Sequence, residues 1–177
     1  GSVQNFLTNT IAELGENIQI LDSRKIKIKY GEFGGYVHNN GKIGVVVSLE
    51  TDKPCTDSRL KKLAHDIAMH IAAASPISVS KDDIPANVIE KEREIYMDQA
   101  KNSGKPEEIA VKIVDGKMDK FCKENALLEQ SFVKDPNMTV NEVITDIIAK
   151  LGENISISRF SRFQLGESSQ DLSKESE

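Results

Sequence analysis

The chain has 177 residues, of which 38% are hydrophobic, enough to bury a core in one sizeable domain or two small ones. Its formal net charge of -5 argues against a general nucleic-acid binder, because phosphate binding needs a concentrated positive surface. No apolar run approaches the roughly 20 residues of a membrane span and no signal peptide opens the sequence, so neither membrane insertion nor secretion is expected.

Gly1-Ser2 looks like the scar of tag removal, which makes residue 3 a chosen boundary. Phe6 to Leu14 has a short helical pattern, closed by Gly15 where a left-handed residue belongs. Ile18, Ile20, Ile26, Ile28 and Tyr30 share one parity and predict a strand bent around Asp22-Ser23. The cluster Arg24 to Lys29 alternates basic and apolar residues, as the solvent face of that strand would. With Tyr30 and Phe33 it is also the best argument for RNA binding, which the acidic balance opposes. Gly34 to Val37 and Lys42 to Leu49 flank His38-Asn39-Asn40-Gly41, whose Asn-Gly favours a tight antiparallel hairpin. Thr51 to Thr56 is polar, contains Pro54 and reads as a loop.

The strongest helical signal runs from Asp57 to Ala74. Leu60, Leu63, Ala64, Ile67, Ile71 and Ala74 form one stripe, and small apolar residues after Ile67 leave His70 as the only polar side chain before Ser75-Pro76. At ~100° per residue His70 falls at the edge of this stripe. Three readings stay open from the residues alone: a histidine satisfied at the rim of the core, a surface contact to a partner, and an Asp66-His70 pair at i, i+4 for acid-base or metal chemistry. A metal site is opposed by spacing, since His65 lies five residues from His70 and no third ligand is near. Cys55 and Cys122 match no metal or redox spacing and are expected as reduced thiols.

Ile84 to Asn102 and Pro106 to Lys123 read as two charged helices, divided by Ser103-Gly104-Lys105. Their predicted seam is Val88, Ile95 and Gln99 against Ile109, Ile113, Val114, Met118 and Phe121, which makes a projecting hairpin and a candidate oligomerisation arm. Thr139 to Glu142 forms a capping box for a helix that ends at Leu151-Gly152. The strand after it slips phase between Ile157 and Phe160, where a bulge is expected. Residues 168–177 are rich in serine and charge and are expected to be flexible.

Leu14-Gly15-Glu16-Asn17-Ile18 recurs, identical, as Leu151-Gly152-Glu153-Asn154-Ile155. Thr8, Ile11, Ala12 and Ile20 match Thr145, Ile148, Ala149 and Ile157 at the same offset, so two half-domains are predicted, each opening with helix, glycine cap and strand. No nucleophile-base pair or phosphate loop can be assembled, so catalytic, cofactor and metal residues are all expected to be none.

An ordered set of motifs resembles the bacterial and organellar elongation factor Ts family. It consists of the Leu14 to Ile18 segment, Gly41-Lys42-Ile43-Gly44-Val45, Ile67 to Ala73 around His70, Val88-Ile89-Glu90-Lys91-Glu92 with Ser103-Gly104-Lys105-Pro106, and Phe132-Val133, across roughly residues 5 to 167. The resemblance implies an α+β fold of two similar half-domains, with antiparallel sheets packed on helices and an inserted antiparallel helical hairpin that some members use to self-associate. The parts would be the scar (1–2), a partial first subdomain (3–56), the second subdomain (57–83 and 126–167), the hairpin (84–125) and the tail (168–177). It implies a guanine nucleotide exchange factor, acting in the cytoplasm or an organellar matrix. Its partner would be the GTPase elongation factor Tu, with a homodimer as a further option and neither nucleic acid nor membrane.

By the same resemblance Ile43, Gly44 and His70 approach the nucleotide domain of the GTPase, and Phe132 and Val133 a β-barrel domain. Such a factor makes no bonds and is not an enzyme; it expels GDP by preferring the nucleotide-poor state of its partner. The family's small N-terminal helical module and its Thr-Asp-Phe-Val segment do not occur in these 177 residues. A fragment competent in binding but impaired in exchange is therefore expected, with a scaffold that self-associates through the hairpin as the alternative. His70→Ala is expected to weaken GTPase binding and leave folding intact.

Overall fold

Residues 1–39, 41–103 and 106–166 are described by a computed structural model. Helix α1 (Val3–Leu14) starts at Ser2, whose hydroxyl accepts from the Asn5 amide at 3.2 Å; the supposed scar serine thus serves as an N-cap. The helix ends at Gly15, at φ 70°, whose amide returns to the Ile11 carbonyl at 2.9 Å. None of its residues is buried, and Val3, Phe6 and Leu14 face solvent.

The strand expected over Ile18 to Tyr30 does not form: no sheet residue precedes Gly31. Strands β1 (Gly31–His38), β2 (Ile43–Thr51) and β5 (Ile155–Gln164) make one antiparallel sheet in the order β1-β2-β5. Once β1 is paired, β2 has one free side, and β5 occupies it. From Ile26 onward the predicted alternation nevertheless survives as burial, whereas Ile20, of the same predicted parity, faces solvent. Ile26, Ile28 and Tyr30 are half-buried and Lys25, Lys27 and Lys29 are exposed. Ile26 and Arg24 line a shallow pocket with Phe33, Val46, Ser161 and Phe163, so the segment follows the outer face of the sheet without joining its ladder.

The fold is α+β as expected, but strands from the first and last regions share one sheet. The hairpin loop brings Lys42 N–H to the Asn39 carbonyl at 3.2 Å, with Asn39 and Gly41 at positive φ; Asn40 lies outside the described residues. The bulge appears where the phase slip predicts it. Ser48 faces Arg159 and Leu49 faces Ile157, leaving Ser158 as the extra residue. Val45, Val47, Leu49, Ile155 and Ile157 form the buried inner face.

Helix α2 (Ser58–Ala74) lies on that face. Asp57 caps it by accepting from the Arg59 amide at 2.8 Å, and Ser75 ends it in the left-handed region. Leu60, Leu63, Ala64, Ile67 and Ile71 are buried as the stripe predicts, whereas Ala74 is exposed. β1 approaches α2 so closely that a Cβ on Gly34 would lie 1.9 Å from the Ala64 carbonyl oxygen.

Helices α3 (Ala86–Asn102) and α4 (Glu107–Asn125) form the expected hairpin; Gly104 and Lys105 lie outside the described residues. Ala100, Ala110, Val114 and Met118 are its buried core, with Ile89, Tyr96, Met97 and Phe121 packed around them. The seam on α3 is thus rotated from the predicted one. Ile95 and Ile109 face solvent, because the short side chains of Ala100 and Ala110 let the two backbones close on the neighbouring stripe. Gln99 instead accepts a hydrogen bond from Lys117 Nζ at 2.7 Å at the rim.

After α4 the chain makes a short hairpin, β3 (Ser131–Phe132) and β4 (Asp135–Thr139), then helix α5 (Val140–Leu151). The capping box is present: Thr139 Oγ1 accepts from the Glu142 amide at 3.2 Å, and Glu142 accepts from the Thr139 amide at 2.7 Å. The predicted flexible tail, 168–177, lies outside the described residues.

Candidate partner surface

Phe132 pairs with Asp135, so Val133 and Lys134 are the two residues at the tip of the β3–β4 turn. Two α2 side chains one helical turn apart hold this tip. The Val133 amide donates to His70 Nδ1 at 3.1 Å. Lys134 Nζ donates to Asp66 Oδ1 at 2.5 Å, and the other Asp66 oxygen takes Lys62 Nζ at 2.7 Å. Spacing of i, i+4 puts Asp66 and His70 on one helix face, and here that spacing serves adjacent turn residues.

His70 is 1% exposed. On its far side Nε2 meets Gln130 Oε1 at 2.9 Å, and Gln130 Nε2 donates to the Glu124 carbonyl at 2.6 Å. The Phe132 ring lies tilted against the imidazole, with centroids 5.8 Å apart. Both ring nitrogens are therefore satisfied within the chain, so removing the ring would leave two buried groups without partners. The residue is too deep to offer its ring edge outward in this conformation.

Burial pushes the His70 pKa below its ordinary 6.5, partly offset by the hydrogen bond to Gln130. A folded-state pKa below the unfolded one means that the unfolded chain binds the extra proton first. The His70 contribution is complete above the unfolded value and declines as pH falls through it toward the folded value. Denaturant unfolding between about pH 7.5 and pH 5.5 should show stability falling with pH, by a slope smaller in His70→Asn. Equal slopes in the two proteins would show that His70 does not carry the effect. Burial tends to raise the pKa of Asp66, but its hydrogen bonds from Lys134 and Lys62 prevail and hold it below the ordinary carboxylate value. It therefore stays ionised as the anchor of Lys134.

The structure brings three of the five expected site residues together. His70 and Phe132 are interior, Phe132 being 5% exposed, while Val133 at the tip is 46% exposed. Ile43 and Gly44 open β2 and take no part in this hydrogen-bond chain. Ile43 packs half-buried against the main core. Gly44, between Val37 and Phe163, has nothing within 4 Å of the place a Cβ would occupy.

The model of the family described as Elongation factor TS matches residues 1–167. The chain belongs to the elongation factor Ts family.

Among its relatives, the elongation factor Ts of Fervidobacterium nodosum is 51% identical over 141 residues, covering 78% of this chain and 72% of the relative. That of Carboxydothermus hydrogenoformans is 51% identical over 139 residues, covering 77% and 64%. That of Desulfotalea psychrophila is 43% identical over 171 residues, covering 90% and 87%. Membership of the elongation factor Ts family gives the chain a role in translation elongation. No helix among the described residues is long and apolar enough to cross a membrane, and none of their His, Cys, Asp and Glu side chains form a group of three able to hold a metal.

Sequence reasoning noticed Asp66 only as a neighbour of His70 and missed Lys134 and Gln130. Neither of the latter two belongs to a periodic pattern, and their partners lie 68 and 60 residues away. The polar residue directly before Ser131-Phe132-Val133 was the one available hint.

Proposed function

We propose that this chain binds elongation factor Tu and favours its nucleotide-poor state, so that GDP leaves. The observation that carries the reading is the Val133 tip: an exposed apolar side chain on a turn whose backbone is fixed from behind by His70 and Asp66. Such a knob meets a partner with little ordering cost, because its conformation is already set. Ile43 and Gly44, at the start of β2, supply a second contact, toward the nucleotide domain of the GTPase. The exchange factor performs no bond chemistry; its whole effect is a difference in affinity for two states of the partner.

The test uses elongation factor Tu loaded with labelled GDP. A chain that prefers the nucleotide-poor state should bind the GTPase and speed release of the label. Binding without any change in the release rate would overturn the exchange half of the reading. Val133→Asp should weaken binding about tenfold or more, since a charge would be desolvated at the contact. It should leave the melting temperature unchanged, because the side chain is exposed. Unaltered affinity would remove Val133 from the interface.

A further inference from the structure

The hydrogen bonds behind the Val133 tip have only one consistent direction. A backbone amide can only donate, so the Val133 N–H requires an unprotonated His70 Nδ1. A neutral imidazole then carries its hydrogen on Nε2, which donates to Gln130 Oε1. With its oxygen so used, the Gln130 amide turns its NH2 to the Glu124 carbonyl, which can only accept. The end of α4, the Gln130 amide, the imidazole and the turn tip thus form one ordered relay.

From this geometry we infer that Gln130 is a positioning residue for the partner surface: by fixing His70 as the Nε2–H tautomer it pins the Val133 amide and presents the Phe132–Val133 turn in a single conformation. The inference rests on the GTPase-binding reading above for its functional half. Gln130 is itself buried and can touch no partner, so it acts through His70. Glutamine suits the position because it offers an acceptor to the ring and a donor to the α4 carbonyl at once. A carboxylate offers only acceptors, and an aliphatic side chain offers neither.

The charged groups on the surrounding elements leave this balance to Gln130. Asp66 on α2 is taken up by Lys62 and Lys134, and Glu124 on α4 points its side chain to Lys120. Glu129 after α4 is exposed, Asp135 opens β4, and Asp146 on α5 is paired with Lys150.

Two variants of the full chain test the idea, Gln130→Leu and Gln130→Glu. Nitrogen chemical shifts of the His70 ring and hydrogen exchange of the Val133 amide are read on the free chain, and affinity is read with elongation factor Tu. The native chain should show the Nε2–H tautomer and a protected Val133 amide, with affinity flat between about pH 8 and pH 6. In Gln130→Leu the tautomer preference should be lost, Val133 exchange should rise about tenfold and affinity should fall about tenfold, the loss of one hydrogen bond's ordering.

In Gln130→Glu the carboxylate should draw a second proton onto the ring. Nδ1–H would then oppose the Val133 N–H, and affinity should fall as pH drops, while circular dichroism confirms the fold. This pH dependence is a readout that a merely structural role would not move. A Val133 amide equally protected in native and variant chains, or a loosened turn with unchanged affinity, would overturn the inference. If the native chain binds no elongation factor Tu, the partner reading falls and takes the functional half with it, while ring shifts and amide exchange still decide the positioning half.

Discussion

Gly34→Ala should lower the melting temperature by roughly 6–12 °C, the equivalent of about 3 kcal/mol for a domain of this size. The added methyl would lie 1.9 Å from the Ala64 carbonyl oxygen and 2.3 Å from its carbonyl carbon, both backbone atoms in the middle of α2. A flexible side chain could turn away, but helix backbone cannot. Either α2 lifts from the sheet, opening the core between Val47 and Ile67, or β1 separates from β2. The neighbouring Gly35→Ala is the control. Its Cβ would meet nothing within 4 Å, so its melting temperature should stay within a degree or two. Equal, small effects of both changes would show that β1 and α2 are not as closely apposed as described.

His70→Ala should cost about 2–4 kcal/mol of stability, combining a cavity with the loss of buried hydrogen bonds. Removing the ring leaves the Val133 amide without its acceptor and Gln130 Oε1 without its donor, in a place where His70 is almost fully covered. His70→Asn and His70→Gln separate the two sides of the ring. Asparagine keeps an acceptor where Nδ1 was, and glutamine reaches where Nε2 was. Both should be less stable than the native chain, and His70→Asn should retain more GTPase affinity because it still holds the Val133 turn. Chemical denaturation and binding to elongation factor Tu provide the two readings. Unchanged stability of His70→Ala would contradict the burial itself.

Much of the local structure was legible. The Thr139-Glu142 box, the Asn-Gly hairpin and the stripe of α2 are signals within one or two turns of chain, and each describes an element that formed. The slip near Ile157 located the bulge for the same reason, since parity is a property of consecutive residues. The rotated seam of the α3–α4 hairpin was not legible, because Ile95 and Ala100 compete for the interface and only the approach of α4 selects between them. Of the candidate site, His70, Phe132 and Val133 came from family resemblance, and periodicity left His70 with three readings. The hydrogen bonds that tie His70 to Gln130 and to the Val133 amide could not be read at all, since a bond across 60 or more residues leaves no local trace.

The repeated segment separates the two kinds of information. Leu14-Gly15-Glu16-Asn17-Ile18 and Leu151-Gly152-Glu153-Asn154-Ile155 are the same five residues, and both glycines take the same left-handed cap, at φ 70° and 64°, with the same 2.9 Å bond to an isoleucine carbonyl four residues back. That much the local sequence determines alone, because only glycine adopts this conformation freely and the bond lies within one turn. Beyond the cap the copies diverge. Glu153 is buried, accepting from the Lys53 amide at 3.2 Å and pairing with its ammonium at 3.0 Å, and Ile155 begins β5 opposite Thr51. Glu16 is exposed, and Ile18 enters no strand. A strand forms by pairing with another strand's free amides and carbonyls: the second copy finds them on β2, whereas the segment after Ile18 passes over the outer face of the sheet, where Arg24 and Ile26 meet Phe33, Val46 and Phe163, a placement that only the tertiary structure decides.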